Sequence, residues 1–100
     1  MNRIFAVEDV IGERTFQSTS NGVQVEVSAY GLTLTDGKNS LFAEGYRDRS
    51  EVMKKLNLQK GDIVQLNLST SVRKNTKENV VFYGNNVTIE GIQVLLRNSF

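Results

Sequence analysis

Val23, Val25 and Val27 alternate with Gln24, Glu26 and Ser28, and this period of two restricts the fold more than any other feature of the chain. Successive side chains of an extended strand point to opposite faces, so such a stretch has one face to bury and one to wet. The pattern recurs: Val64, Leu66, Leu68 and Val72 alternate with Gln65, Asn67, Ser69 and Ser71, which predicts a strand over 62–73 with the apolar set inward. A first strand is expected from Arg3 to Phe16, with Gly12 as a bend or bulge. The last strand material is 80–83 and 87–96, split near Gly84-Asn85-Asn86 and kinked at Gly91. The chain reads as mostly sheet.

Punctuation between these runs sets the order. The run from Gln17 to Gly22 is polar and small, as in a loop. After Ala29 the apolar parity moves to Tyr30, Leu32 and Leu34, which predicts a bulge beside Gly31 that bends the second strand. Asp36-Gly37 predicts a two-residue turn that sets Leu32 opposite Leu41 and Tyr30 opposite Ala43. In that register Phe42 lies over Gly31 on the other face, exposed or half-exposed. One helix is expected, over Asp48 to Leu58. It has a capping box of Asp48 and Glu51, an apolar stripe of Val52, Met53 and Leu56, and Lys54 and Lys55 near its end. Gly61 falls in the following turn, and Arg73 to Asn79 is a polar, basic connection.

Three strands, one helix and two strands make an all-β, five-stranded Greek-key OB-fold barrel with a short helix between strands 3 and 4. A single domain over 1–100 is expected. An SH3-like barrel lacks a helix of this length there, and a ferredoxin-like fold needs two.

Composition narrows the chemistry. Twelve basic residues against eleven acidic ones leave a net charge of +1, so a nucleic-acid site has to come from local clustering. With no cysteine and no histidine, disulfides, thiolate metal sites and the commonest general base are absent. The adjacent Glu8 and Asp9 point to opposite faces of a strand, and no phosphate loop or nucleophile elbow occurs. The reading is a binding protein without cofactor or catalysis. No apolar run approaches the roughly 20 residues of a membrane span. An acidic pair follows the N-terminus too closely for a signal peptide, so no membrane and a cytoplasmic location are expected.

The stretch Ser40-Leu41-Phe42-Ala43-Glu44-Gly45-Tyr46 leads into a helix ending Met53-Lys54-Lys55-Leu56. Leu58-Gln59-Lys60-Gly61-Asp62-Ile63-Val64 follows, running into a strand that ends Ser71-Val72-Arg73. Residues 40 to 74 resemble bacterial and phage single-stranded DNA-binding proteins and their primosomal relative. In that family a strand ending in aromatic-small-Gly precedes a short helix, Lys-Gly-Asp/Ser-x-Val, and a strand closing on a basic residue. The resemblance implies single-stranded DNA binding and assembly into dimers or tetramers. Two departures stand out. The family stacks bases on tryptophan, of which this chain has none, and Phe100 follows no acidic run. A site here has to use Phe and Tyr.

Binding single strands without sequence preference takes aromatic faces beside a basic groove. Phe42 and Tyr46 share a parity on the third strand, next to Arg47. Each reads either as a stacking platform or as a barrel-packing aromatic. Arg73, Lys74 and Lys77 lie in the connection that flanks the OB-fold groove, with Phe82 and Tyr83 beyond, and read either as phosphate contacts or as a solvated hairpin. Arg14 reads as a surface charge or a phosphate contact from the opposite rim. The expected function is binding of single-stranded DNA in replication, recombination or mobile-element maintenance. Two alternatives stay open: a structural or assembly oligomer without a nucleic-acid site, and an RNA-binding module. The apolar run Ile92 to Leu96 serves as a subunit contact or as a core strand.

Overall fold

Alternating sequence does become strand. The computed structural model describes residues 2–98; Phe100 and the side chains of Arg73, Asn75 and Phe82 lie outside that description. The elements are β1 (Asn2–Ser20), β2 (Val23–Thr35), β3 (Ser40–Tyr46), α1 (Asp48–Leu56), β4 (Ile63–Lys77) and β5 (Val80–Leu96). The strands close into a barrel in the order β1-β2-β3-β5-β4. All neighbours are antiparallel except β3 and β5, which meet in parallel at Glu44 and Thr88. With α1 between β3 and β4, this is the expected OB-fold.

Closure rests on β1, which pairs with β4 through Asn2–Ala6 and with β2 from Ala6 onward. Its register against β2 slips between Val7 and Asp9 and again between Val10 and Gly12, leaving Glu8 and Ile11 as extra residues. Extra residues bend and twist a strand, and Gly12 takes the required positive φ of 95°. The bulges therefore sit in β1, where Gly12 marks one, and β2 has none beside Gly31. The change of apolar parity in β2 has a different cause. Leu32 and Leu34 point into the barrel, whereas Val27 and Ala29 are buried on the outer face, opposite Phe16 and between Arg14 and Tyr46.

The core draws Phe5 and Val7 from β1, Leu32 and Leu34 from β2, Ala43 from β3, Val64, Leu66 and Leu68 from β4, and Ile89 from β5, with Met53 and Leu58 closing one end. The expected capping box does not form. Arg47, at φ 56°, precedes the first turn without a side-chain cap, and Asn57 in the left-handed conformation ends the helix at Leu56. Beyond it, Asp62 is 1% exposed and ties the chain's end to this corner. Its carboxylate accepts the Gln59 and Asn98 N–H groups at 2.9 and 2.8 Å and Arg97 Nη1 at 3.2 Å. Burial pushes the Asp62 carboxyl up, but those backbone bonds and Arg97 outweigh it, and the group is held below its ordinary range.

Two hairpins reach beyond the barrel and stretch the molecule to 48 Å. β1 and β2 stay paired to Ser20 and Val23, closed by Asn21-Gly22 at φ 51° and 76°. β4 and β5 stay paired to Lys77 and Val80, closed by Glu78-Asn79 at φ 52° and 64°. Two positive-φ residues make the tight turn whose twist matches paired strands. Most of the expected loop over 17–22 and of the connection over 73–79 is thus strand. β5 runs unbroken through Gly84-Asn85-Asn86, with a register shift near Gly91. Val72, expected inward, lies past the barrel on the arm and is 68% exposed.

Candidate nucleic-acid interface

Three rows of residues cross the outer face of β1, β2 and β3. Asp9, Thr33 and Phe42 form the first, Gly12, Gly31 and Glu44 the second, and Arg14, Ala29 and Tyr46 the third. The middle strand contributes small residues in the last two rows, which leaves room for side chains from its neighbours. The Asp36 turn sets this register. Its Oδ1 accepts the Lys38 and Asn39 N–H groups at 3.0 and 2.9 Å, making a four-residue loop that pairs Leu32 with Ala43 and Leu34 with Leu41. That is two residues away from the expected pairing. A shift of two preserves every face.

Phe42 accordingly keeps its expected face, but it pairs with Thr33 instead of Gly31 and reaches the glycine diagonally. A Cβ built on Gly31 would fall 2.9 Å from Phe42 Cε2 and 3.4 Å from Ile11 Cβ, so the ring lies across the glycine. Phe42 is 48% exposed and Ile11 58%. The outer face thus presents a supported aromatic ring with an open side.

The next row is tightly joined. Glu44, 6% exposed, accepts Arg14 Nε at 2.7 Å on Oε2 and Arg14 Nη2 at 2.8 Å on Oε1. The Tyr46 hydroxyl donates to Glu44 Oε1 at 3.2 Å. The Arg14 guanidinium stands 4.9 Å over the Phe16 ring, which meets Tyr46 edge-on at 6.2 Å and 88°. The Glu44 hydrogen bond pushes the Arg14 guanidinium above its ordinary range. Tyr46 is half-buried within this group, where Phe42 is open. Sequence reasoning passed over Glu44 and Phe16. Glu44 shares the parity of Phe42 and Tyr46 and was open to inference, but its pairing with Arg14 depends on the two β1 bulges.

The expected cations fall in three places. Arg47 is exposed where β3 ends, and its N–H donates to Ser28 O at 2.9 Å. Lys74 stands opposite Tyr83 on the β4–β5 arm, both exposed, and Tyr83 reaches 70%. They share the register face that carries Leu68 and Ile89 lower down, whereas Lys77, paired with Val80, falls on the face of Ser69 and Thr88. Arg73 pairs with Gly84 along the backbone. The basic segment is therefore divided between two faces of a ribbon rather than gathered on one. That ribbon is rooted beside the outer face, because Thr88 meets Glu44. Arg3 pairs with Asp36 at 2.8 Å and Arg97 with Asp62, so neither is a free cation.

This arrangement suits a flexible, flat-ringed polyanion: open ring faces on a rigid sheet, with exposed positive charge on the adjoining arm and at the end of β3. No protein-family model and no curated protein sequence matches the chain. Its fold is similar to solved structures of Rim1, the mitochondrial single-stranded DNA-binding protein of S. cerevisiae. One form superposes with a TM-score of 0.59 at 9% identity, covering 98% of this chain and 95% of that one. A selenomethionine-labelled form gives 0.57 at 13% identity over the same shares. At that identity the likeness carries the barrel and its connectivity, and nothing about individual side chains.

Proposed function

We propose that this chain binds single-stranded DNA with little sequence preference, in replication, recombination or mobile-element maintenance. The observation that carries the reading is Phe42, a 48% exposed ring lying across Gly31 on the outer face of an OB-fold barrel. Similarity to Rim1, itself a mitochondrial single-stranded DNA-binding protein, supports it. Bases stack on Phe42, beside Tyr46, and on Tyr83 of the arm; Arg47, Arg73, Lys74 and Lys77 meet phosphates. Stacking contributes about 1–3 kcal/mol per base whatever the base, which accounts for the lack of sequence preference. The division of Lys74 and Lys77 between two faces suits a strand that wraps the arm.

Fluorescence anisotropy with labelled oligo-dT, oligo-U and duplex DNA at two salt concentrations tests this. Oligo-dT is expected to bind best, with log affinity falling by about 0.7 per neutralised phosphate for each tenfold rise in salt. A preference for oligo-U moves the reading to RNA. Binding that ignores salt sinks it.

A second observation favours self-assembly. The outer face of β1, β4 and β5 carries Asn2, Ile4, Gln65, Asn67 and Gln93, bounded by Glu90 at its Ser69 bond of 2.8 Å and next to Leu95 and Leu96 at 43% and 65% exposure. Amides both donate and accept, so a two-fold axis can bring such a face against its own copy. A homo-oligomer, dimer or tetramer, is expected by light scattering. A monomer at all concentrations overturns this part alone.

A further inference from the structure

Arg14 lies on the candidate face with its charge already paired, which weakens its pull on a phosphate. One edge of its guanidinium, Nε and Nη2, is taken by Glu44 at 2.7 and 2.8 Å, and its charge is paired with a carboxylate only 6% exposed. One side of the group stands over the Phe16 ring at 4.9 Å, and Phe16 is in turn braced edge-on by Tyr46. The side chain is still 52% exposed. Besides the Nη1 edge, this leaves an open guanidinium plane, oriented by two hydrogen bonds and backed by a ring. Arg planes are stacking surfaces for unpaired bases in the same way as aromatic rings.

We infer that Arg14, seated on Phe16 and oriented by Glu44, is a second base-stacking platform of the outer face, whose ligand is an unpaired nucleobase rather than a phosphate. This rests on the DNA reading. Glu44 is a positioning residue: it fixes the guanidinium plane and the Tyr46 hydroxyl together and cancels the charge that would otherwise draw the backbone there. The face then offers two platforms in adjoining parts of one sheet, Phe42 over Gly31 and Arg14 over Phe16. Both are supported from below and open above.

The test is anisotropy with oligo-dT and with an abasic oligonucleotide of the same length, across a salt series. Arg14→Lys keeps the positive charge facing Glu44 but removes the plane. It is expected to lower oligo-dT affinity by about fivefold to tenfold, with unchanged abasic binding and an unchanged salt slope. Glu44→Gln keeps the size of the side chain and one of its two acceptor oxygens and uncovers the charge of Arg14, so its salt slope is expected to steepen by about 0.7. A purely structural ion pair would move neither the abasic comparison nor the slope. Equal losses on both oligonucleotides, no loss with Arg14→Lys, or an unchanged slope with Glu44→Gln overturn the inference. If the unmodified protein binds oligo-dT normally in those cases, the DNA reading stands. If it binds no oligonucleotide at low salt, that reading fails first.

Discussion

The outer face of β1–β2–β3 and the β4–β5 arm hold the same kinds of residue, rings and cations, in opposite physical states. On the face, Glu44 joins Arg14 and Tyr46, and Phe42 rests on Gly31. On the arm, Lys74, Lys77 and Tyr83 project from two strands with no third beside them. A two-stranded ribbon has little stability of its own, whereas a closed sheet positions side chains by packing. The side chains of the face are therefore held by their neighbours, whereas those of the arm are not. Orienting a long side chain on binding costs about 0.5–1.5 kcal/mol each. Shape-dependent contacts belong on the face and distance-tolerant charge on the arm.

The sharpest way to break this contrast is to compare stabilities. Glu44→Ala leaves the Arg14 fork and the Tyr46 hydroxyl without that acceptor. In urea unfolding it is expected to cost about 2 kcal/mol, less than the roughly 3–5 of a fully buried pair because Arg14 is half in water. Lys74→Ala on the arm is expected to stay within about 0.5 kcal/mol. Comparable losses would mean that the arm is held as firmly as the face.

Next in size is the comparison of rings. Phe42→Ala is expected to weaken oligo-dT binding by about 1–2 kcal/mol, and Tyr83→Ala by less, since the Tyr83 ring must be immobilised on binding. Titration by anisotropy ranks them, and the reverse order would place the main platform on the arm. Charge gives a smaller effect of a different kind. The double variant Lys74→Gln, Lys77→Gln is expected to flatten the salt slope by about 1.4 with the thermal midpoint unchanged. Unchanged salt dependence would remove the arm from the phosphate path.

The smallest effect concerns the Asp62 corner at the start of β4, the far end of that strand from the arm. Asp62 is held below its ordinary range, so the native protein binds that proton less readily than the unfolded chain. Its stabilisation is fully present above the unfolded carboxylate value of about 4 and is lost as pH falls through the lower native value. A modest drop in melting temperature is expected on acidification below about pH 4, and Asp62→Asn should flatten that part of the profile. An identical acid limb in the variant would show that other carboxylates carry it.

Much of the barrel was legible residue by residue. Val64, Leu66 and Leu68 were read as inward and are 0%, 0% and 4% exposed. The two-residue turn expected at Asp36-Gly37 sets Phe42 opposite Gly31. The observed register sets it opposite Thr33, and an even shift keeps it on the same face, from which its ring still reaches the glycine. The hairpin arms were harder to see. Gln17 to Ser20 and Arg73 to Lys77 are polar throughout, with no apolar alternation, so no periodicity marks them as strand. Asn21-Gly22 was the available signal for the first arm. For the second, Glu78-Asn79 is weaker, because Glu is an unusual residue for the left-handed region.

By itself the sequence determined the element order, the barrel class and the inward sets Leu32-Leu34 and Val64-Leu66-Leu68, since these follow from local periodicity and turn chemistry. Only the tertiary structure decided which residues face one another across strands. Arg14 and Glu44 are thirty residues apart, and their meeting depends on two extra residues in β1 that shift the pairing. Register between strands is a sum over every intervening bulge and loop, so a single insertion changes every later pairing. For that reason the alternation of Val, Gln and Glu could announce a sheet, while the braced guanidinium on its outer face could not be read until the sheet had closed.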